Sequence, residues 1–128
     1  MNEATRDWLK YAEENYSSVQ ILLDSSLYNV CLQNIQQSIE KYLKSLLLEK
    51  NILFKKTHSV RDLVNSLKDN DVSIDMDDNE IDLIDSIYLP SKYPLGNAMP
   101  FFEADKNICL NCILILDKVK ESVEHLLK

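Results

Sequence analysis
From Cys31 to Arg61 the chain reads CLQNIQQSIEKYLKSLLLEKNILFKKTHSVR: a long amphipathic segment, a break, and a histidine at the start of the next segment. Apolar residues recur at Leu32, Ile35, Ile39, Tyr42, Leu43 and Leu46. That three-and-four spacing places them on one face of a helix. A second stripe, Gln33, Gln37, Glu40, Lys41 and Lys44, has the same period and is wholly polar. At ~1.5 Å per residue it lines up amides, an acid and two ammonium groups over about 16 Å. Such a row can hydrogen-bond a polar ligand or a partner, although most polar helix faces are simply solvated, and solvation is the expectation here.

The whole chain has 128 residues, enough for one core and hence one domain over residues 1–128. One Gly and three Pro are too few breakers for a loop-rich chain, so the composition predicts an all-helical fold. No run approaches the ~20 apolar residues of a membrane helix. The opening MNEATRDWLK mixes acids and bases and does not resemble a secretory signal, so a cytoplasmic location is expected.

The net charge of -7 argues against general coating of DNA or RNA, which takes a basic footprint. Eight of the acids crowd between Asp69 and Asp85, and without them 13 acids face 14 lysines and arginines. The body of the domain is therefore near neutral, and the overall sign does not describe its binding face.

Taken in order, the periodicity predicts a first helix over Thr5–Asp24, with Trp8, Ala12, Val19, Leu22 and Leu23 on its apolar face and Tyr11 and Tyr16 flanking. A second is expected from Tyr28 to about Asn51, antiparallel to the first across a short turn. Ser59 or Thr57 caps a short third helix, with Asp62 approximating a capping box. Asp77, Asp78 and Glu80 suit the N-terminus of a fourth, whose apolar face is Ile81, Ile84, Ile87 and Tyr88. Residues 90–102, PSKYPLGNAMPFF, hold every Pro and the only Gly and are expected to be irregular. There Lys92 and Tyr93 set a cation beside a ring able to stack on a base, while Tyr93, Phe101 and Phe102 can instead cover the bundle end. A last helix is expected over Glu103–Leu127, its stripe broad enough to pack in the bundle and against a second subunit. The predicted architecture is an up-and-down helical bundle of four main helices with a short additional helix, forming a homodimer.

Several sites are excluded. Asp71–Asp82 places Met76 sixth and Asp82 twelfth, where a calcium loop takes Gly and Glu. Cys109-x-x-Cys112 lies in an apolar helical run, and with Cys31 makes three thiols, short of a structural zinc set. They are expected to be reduced and buried. No Gly-rich phosphate cradle or nucleophile–base pair occurs, so neither a cofactor nor a metal is expected.

The order Gln36-Gln37-x-x-Glu40-Lys41-x-x-Lys44, Thr57-His58-x-x-x-Asp62-Leu63 and Tyr88-x-x-Ser91-Lys92-Tyr93-Pro94 resembles the HEPN domain, the higher eukaryote and prokaryote nucleotide-binding domain. The resemblance spans nearly the whole chain. It departs at Lys92, where relatives often carry Arg, a planar fork able to bind phosphate through two hydrogen bonds. It implies ligand-facing residues Gln37, Lys41, Lys44, His58, Lys92 and Tyr93, with the lysines meeting phosphate and Tyr93 stacking on a base. It also implies a nucleotide or RNA-phosphate ligand and a small nucleotidyltransferase partner, in a toxin–antitoxin or defence module. HEPN proteins that cleave RNA carry Arg, four to six residues, then His. Neither Arg6 nor Arg61 precedes a histidine at that spacing, so the motif is absent and no catalytic residue is assigned. For His58 the resemblance also suggests a structural role, bonding to the preceding helix or capping its own. The other readings are a protein-interaction module without nucleotide and an RNase with an unconventional site at His58.

Overall fold
A computed structural model describes residues 1–92 and 103–128, with the backbone alone at 89, 90 and 92. Among the described residues five helices follow one another: α1 (Glu3–Asp24), α2 (Tyr28–Glu49), α3 (Val60–Lys68), α4 (Asp78–Lys92) and α5 (Lys106–Leu126). Among the described residues there is no strand. The fold is all-α, with four longer helices and the short α3, as the composition predicts.

α2 is the axis of the molecule and packs against each of the other four helices. Leu32, Ile35, Ile39, Tyr42, Leu43 and Leu46 are all fully buried on it. Burying such side chains contributes roughly 1.5–3 kcal/mol each, before the cost of ordering them. α1 lies antiparallel along α2, burying Ala12, Val19 and Leu23. Its start is pinned to the end of α2: the Asn2 N–H and the Thr5 hydroxyl both donate to Glu49 Oε1, at 3.0 and 3.1 Å. α5 adds Cys109, Cys112, Leu116, Val119 and Val123, and α4 adds Ile81, Ile84 and Ile87. Among the described residues the hydroxyl of the fully buried Tyr42 has no hydrogen-bond partner, and burial raises its pKa well above the ordinary phenol value.

Three helix ends share one device. Ser26, Asn51 and Asp71 adopt positive φ of 59°, 56° and 61° just past α1, α2 and α3. In each case the next residue, Leu27, Ile52 or Val72, donates its N–H back to Leu22, Leu47 or Leu67. This is the Schellman turn, usually made with Gly. With one Gly in the chain, Ser, Asn and Asp take its place at the cost of left-handed backbone.

Side chains cap every helix start except that of α2, where Leu27 offers none. Ser59 Oγ accepts from the Asp62 N–H, but the box is not closed directly. The Asp62 carboxylate instead accepts from the Thr57 hydroxyl, which accepts the Ser59 N–H. Asp77 and Glu80 form a reciprocal box at α4, and Asp105 caps α5, which therefore begins at Lys106 rather than Glu103. Likewise α2 stops at Glu49, because the turn at Asn51 ends it.

The end of α4 also differs from the expected boundary. Pro90, Ser91 and Lys92 belong to α4 rather than to an irregular segment. Proline's fixed φ is compatible with a helix, and near a C-terminal end the missing N–H removes one bond without ending the run. The Tyr93, Phe101 and Phe102 expectations lie outside the described residues.

The three cysteines are free and buried. Cys31 Sγ lies 3.6 Å from the Val19 carbonyl, and Cys109 Sγ 3.6 Å from that of Tyr28. Burial pushes the Cys109 and Cys112 thiols up to about 12.

Candidate functional site
The polar stripe of α2 is not the solvated face its sequence suggests. Glu40 and Lys44 are 2% and 7% exposed, and Gln36 beside them is fully buried. The correction has a structural cause: Trp8 from α1 lies against Lys44, and the chain before α3 brings His58 onto Glu40. Periodicity within one helix carries no information about either cover.

Glu40 is the hub. Residues 36, 40 and 44 stand four apart and so share one side of the helix. Oε1 of Glu40 accepts from Lys44 Nζ at 2.7 Å and meets His58 Nδ1 at 3.1 Å. Oε2 accepts from the Gln36 and Gln37 amides at 3.2 and 3.3 Å. Gln36 Nε2 also donates to the His58 carbonyl at 3.2 Å, tying the loop to α2. A buried carboxylate needs such saturation, because an unpaired one costs several kcal/mol. Gln37 completes the set by donating to Gln36 Oε1 at 2.6 Å.

Two groups face outward from this hub. The His58 side chain is 56% exposed, and its ring stacks on Tyr88 with centroids 5.1 Å apart and planes 18° apart. A carboxylate only accepts hydrogen bonds, so Nδ1 turns its proton to Glu40 and the other ring nitrogen, Nε2, points away from it. His58, Ser59, Asp85 and Tyr88 line a cavity of about 260 Å³. Asp85 is occupied at its rim, accepting from the Val60 and Arg61 N–H groups and the Ser59 hydroxyl.

Lys41 points to the other side, between α1 and α2. Its Nζ donates to Asn15 Oδ1 at 2.9 Å and lies 5.8 Å from the Tyr11 ring centroid. Burial pushes its pKa below the ordinary lysine value, with Glu40 opposing that shift. Lys44 Nζ stands 5.2 Å from the Trp8 ring centroid. Asp7, Trp8, Tyr11 and Lys41 line a second cavity of about 430 Å³.

Of the expected ligand-facing residues, Gln37, Lys44 and His58 converge on Glu40, and Lys41 adjoins them on the α1 side. Tyr93 and the side chain of Lys92 lie outside the described residues. The sequence pattern does not single out Trp8, Tyr11, Asp85 or Tyr88 as site residues. The available signal is the pair Trp8 and Tyr11, three apart on α1, which reads as a core-facing residue and its flank. Asp85 acts on residues about 25 positions away, beyond any local pattern. Among the described residues, no group of three or more His, Cys, Asp or Glu side chains is placed to hold a metal. Arg61 is engaged elsewhere, donating to Asp78 and Asp82.

Comparison with known proteins follows the same lines. The family model described as HEPN domain matches residues 5–126. The structure is similar to that of TT1696 from Thermus thermophilus, with a TM-score of 0.81 and 26% identity over 98% of this chain and 99% of that one. It is also similar to ST0689, an archaeal HEPN homologue, with a TM-score of 0.72 and 22% identity over 100% of both chains, a likeness of fold alone. The search of curated proteins finds no match.

Proposed function
The chain belongs to the HEPN domain family, and from that premise we propose that it is a non-catalytic module binding a nucleotide or RNA phosphate beside α2. The observation that carries this is the division of labour around Glu40. Lys44 and Gln37 spend hydrogen bonds on the buried carboxylate, while His58 and Lys41 retain donor or acceptor capacity at the cavities they line. Lys41 is the phosphate partner in this reading, and His58 offers Nε2. Lys92 and Tyr93 remain candidates for the same ligand. The further proposals, a small nucleotidyltransferase partner and a toxin–antitoxin or defence role, draw on the family resemblance. A homodimer through α5 is supported by Leu110 and Leu114, exposed at 42% and 65% and one turn apart.

A thermal-shift titration with ATP, GTP and their diphosphates tests the binding. A saturable rise in melting temperature, lost in Lys41→Ala/His58→Ala, is expected. A flat response at millimolar ligand overturns the proposal. Lys44 is left intact in this test because its removal would strand Glu40 in the core.

A protein-interaction module without nucleotide is the second reading. In its favour, two of the four described candidates are committed to holding the fold. Complex formation with a partner, unchanged by added nucleotide, would support it.

A further inference from the structure
The cavity between α1 and α2 has a composition that the phosphate reading leaves unused. Its walls are two aromatic rings, with a carboxylate and an ammonium among its four lining residues. We propose that it takes the base of a purine nucleotide, the ring stacking on Trp8 and Tyr11 while the phosphate meets Lys41. The proposal deepens the nucleotide reading and rests on it.

Trp8 and Tyr11 stand three residues apart on α1, so they are neighbours on one helix face. Ring faces accept bases by stacking regardless of sequence, which suits a flat heteroaromatic better than an aliphatic chain. Lys44 lies over Trp8 and Lys41 over Tyr11. A cation over one ring face draws electron density toward it and favours an electron-rich ring on the other. The volume, about 430 Å³, falls in the range of small-molecule sites.

The polar groups fix an orientation. An ammonium has three N–H donors, and Lys41 commits one to Asn15, leaving two for phosphate oxygens. An anion there also offsets the burial that disfavours the charge on Lys41. Asp7 can only accept when ionised, and it repels phosphate, so the ligand's N–H groups belong at its end. Guanine suits that end, since its edge presents adjacent N1–H and N2–H₂ donors. A flat ring, a donor edge and an anionic tail are thus matched in turn by the rings, by Asp7 and by Lys41.

Trp8 is the only tryptophan in the chain, so all tryptophan emission comes from a wall of this cavity. The experiment titrates the full chain with guanosine monophosphate, following Trp8 fluorescence and calorimetric heat in parallel, with ribose 5-phosphate as the probe lacking a base. Guanosine monophosphate is expected to change the emission saturably, and ribose 5-phosphate to leave it unchanged. Tyr11→Ala, at a side chain already more than half exposed and so dispensable for folding, is expected to weaken guanosine monophosphate about tenfold. Heat of binding with silent Trp8 emission overturns the base pocket and leaves the phosphate reading standing. Equal emission changes from both probes, or full affinity in Tyr11→Ala, also overturn the base pocket. Absence of both heat and emission change with guanosine monophosphate removes the base pocket, and a flat nucleotide thermal shift removes the wider reading separately.

Discussion

Two sets of ion pairs in this molecule have the same length and opposite physics. Lys44 and Glu40 meet at 2.7 Å inside the bundle, with side chains 9% and 3% exposed. Arg61 meets Asp78 and Asp82, also at 2.7 Å, where both carboxylates are more than two-thirds exposed. Distance therefore does not rank them. In the first, water has been removed and each charge depends on its partners. In the second, water can replace whatever is lost. The difference explains why Glu40 collects four partners, while Arg61 holds two acids that solvent can also serve.

The largest expected effect comes from stranding the inner pair. Glu40→Ala leaves Lys44 buried without its counter-ion and should lower unfolding stability by about 3–5 kcal/mol in urea melts. Glu40→Leu/Lys44→Met, which removes both charges, should recover most of that loss. A double variant as unstable as the single would break the comparison, since charge isolation would not be the cause.

Asp85 lies between the extremes. It is half-buried and accepts from two backbone N–H groups at the start of α3. Asp85→Ala should cost about 1–2 kcal/mol, the range of a lost helix cap. A loss as large as that of Glu40→Ala would show that burial does not set the scale.

Tyr42 sharpens the contrast from the opposite side, as a buried polar group with no partner among the described residues. Tyr42→Phe should raise stability by about 1 kcal/mol, because the unmet hydroxyl is no longer desolvated on folding. A loss on thermal melting would argue that the hydroxyl is served in solution.

Arg61→Ala should give the smallest change of the set, and one that disappears in molar salt. Its pH dependence has a definite sign. Arg61 holds the Asp78 carboxyl below its ordinary value, so the folded state gives up that proton more readily than the unfolded chain. The contribution is full above the unfolded value near pH 4 and fades as pH falls through the folded one. Wild type and variant should therefore converge in acid, and a gap widening below pH 4 would contradict the assignment.

The fold was legible because its determinants are local. Periodicity placed the apolar faces of α1, α2, α4 and α5, and Ser59 marked the start of α3. The candidate site was legible only in part, because its determinants are not. Glu40 and Lys44 look like surface residues until Trp8 and His58 cover them, and neither cover is encoded in α2. Asp85 serves a helix start about 25 residues away. Pro90 misled for another reason: a strong local breaker signal gave way to a helix able to absorb one lost bond near its end.

The buried thiols have a practical consequence. At pH 7, thiols held near 12 in Cys109 and Cys112 present almost no thiolate, the form that reacts with disulfide reagents. Labelling must wait until the interface between α2 and α5 opens and exposes them. Where reclosing outruns reaction, the rate measures the equilibrium fraction of open molecules. The native chain thus carries its own gauge of how far its core breathes, one that needs no introduced probe.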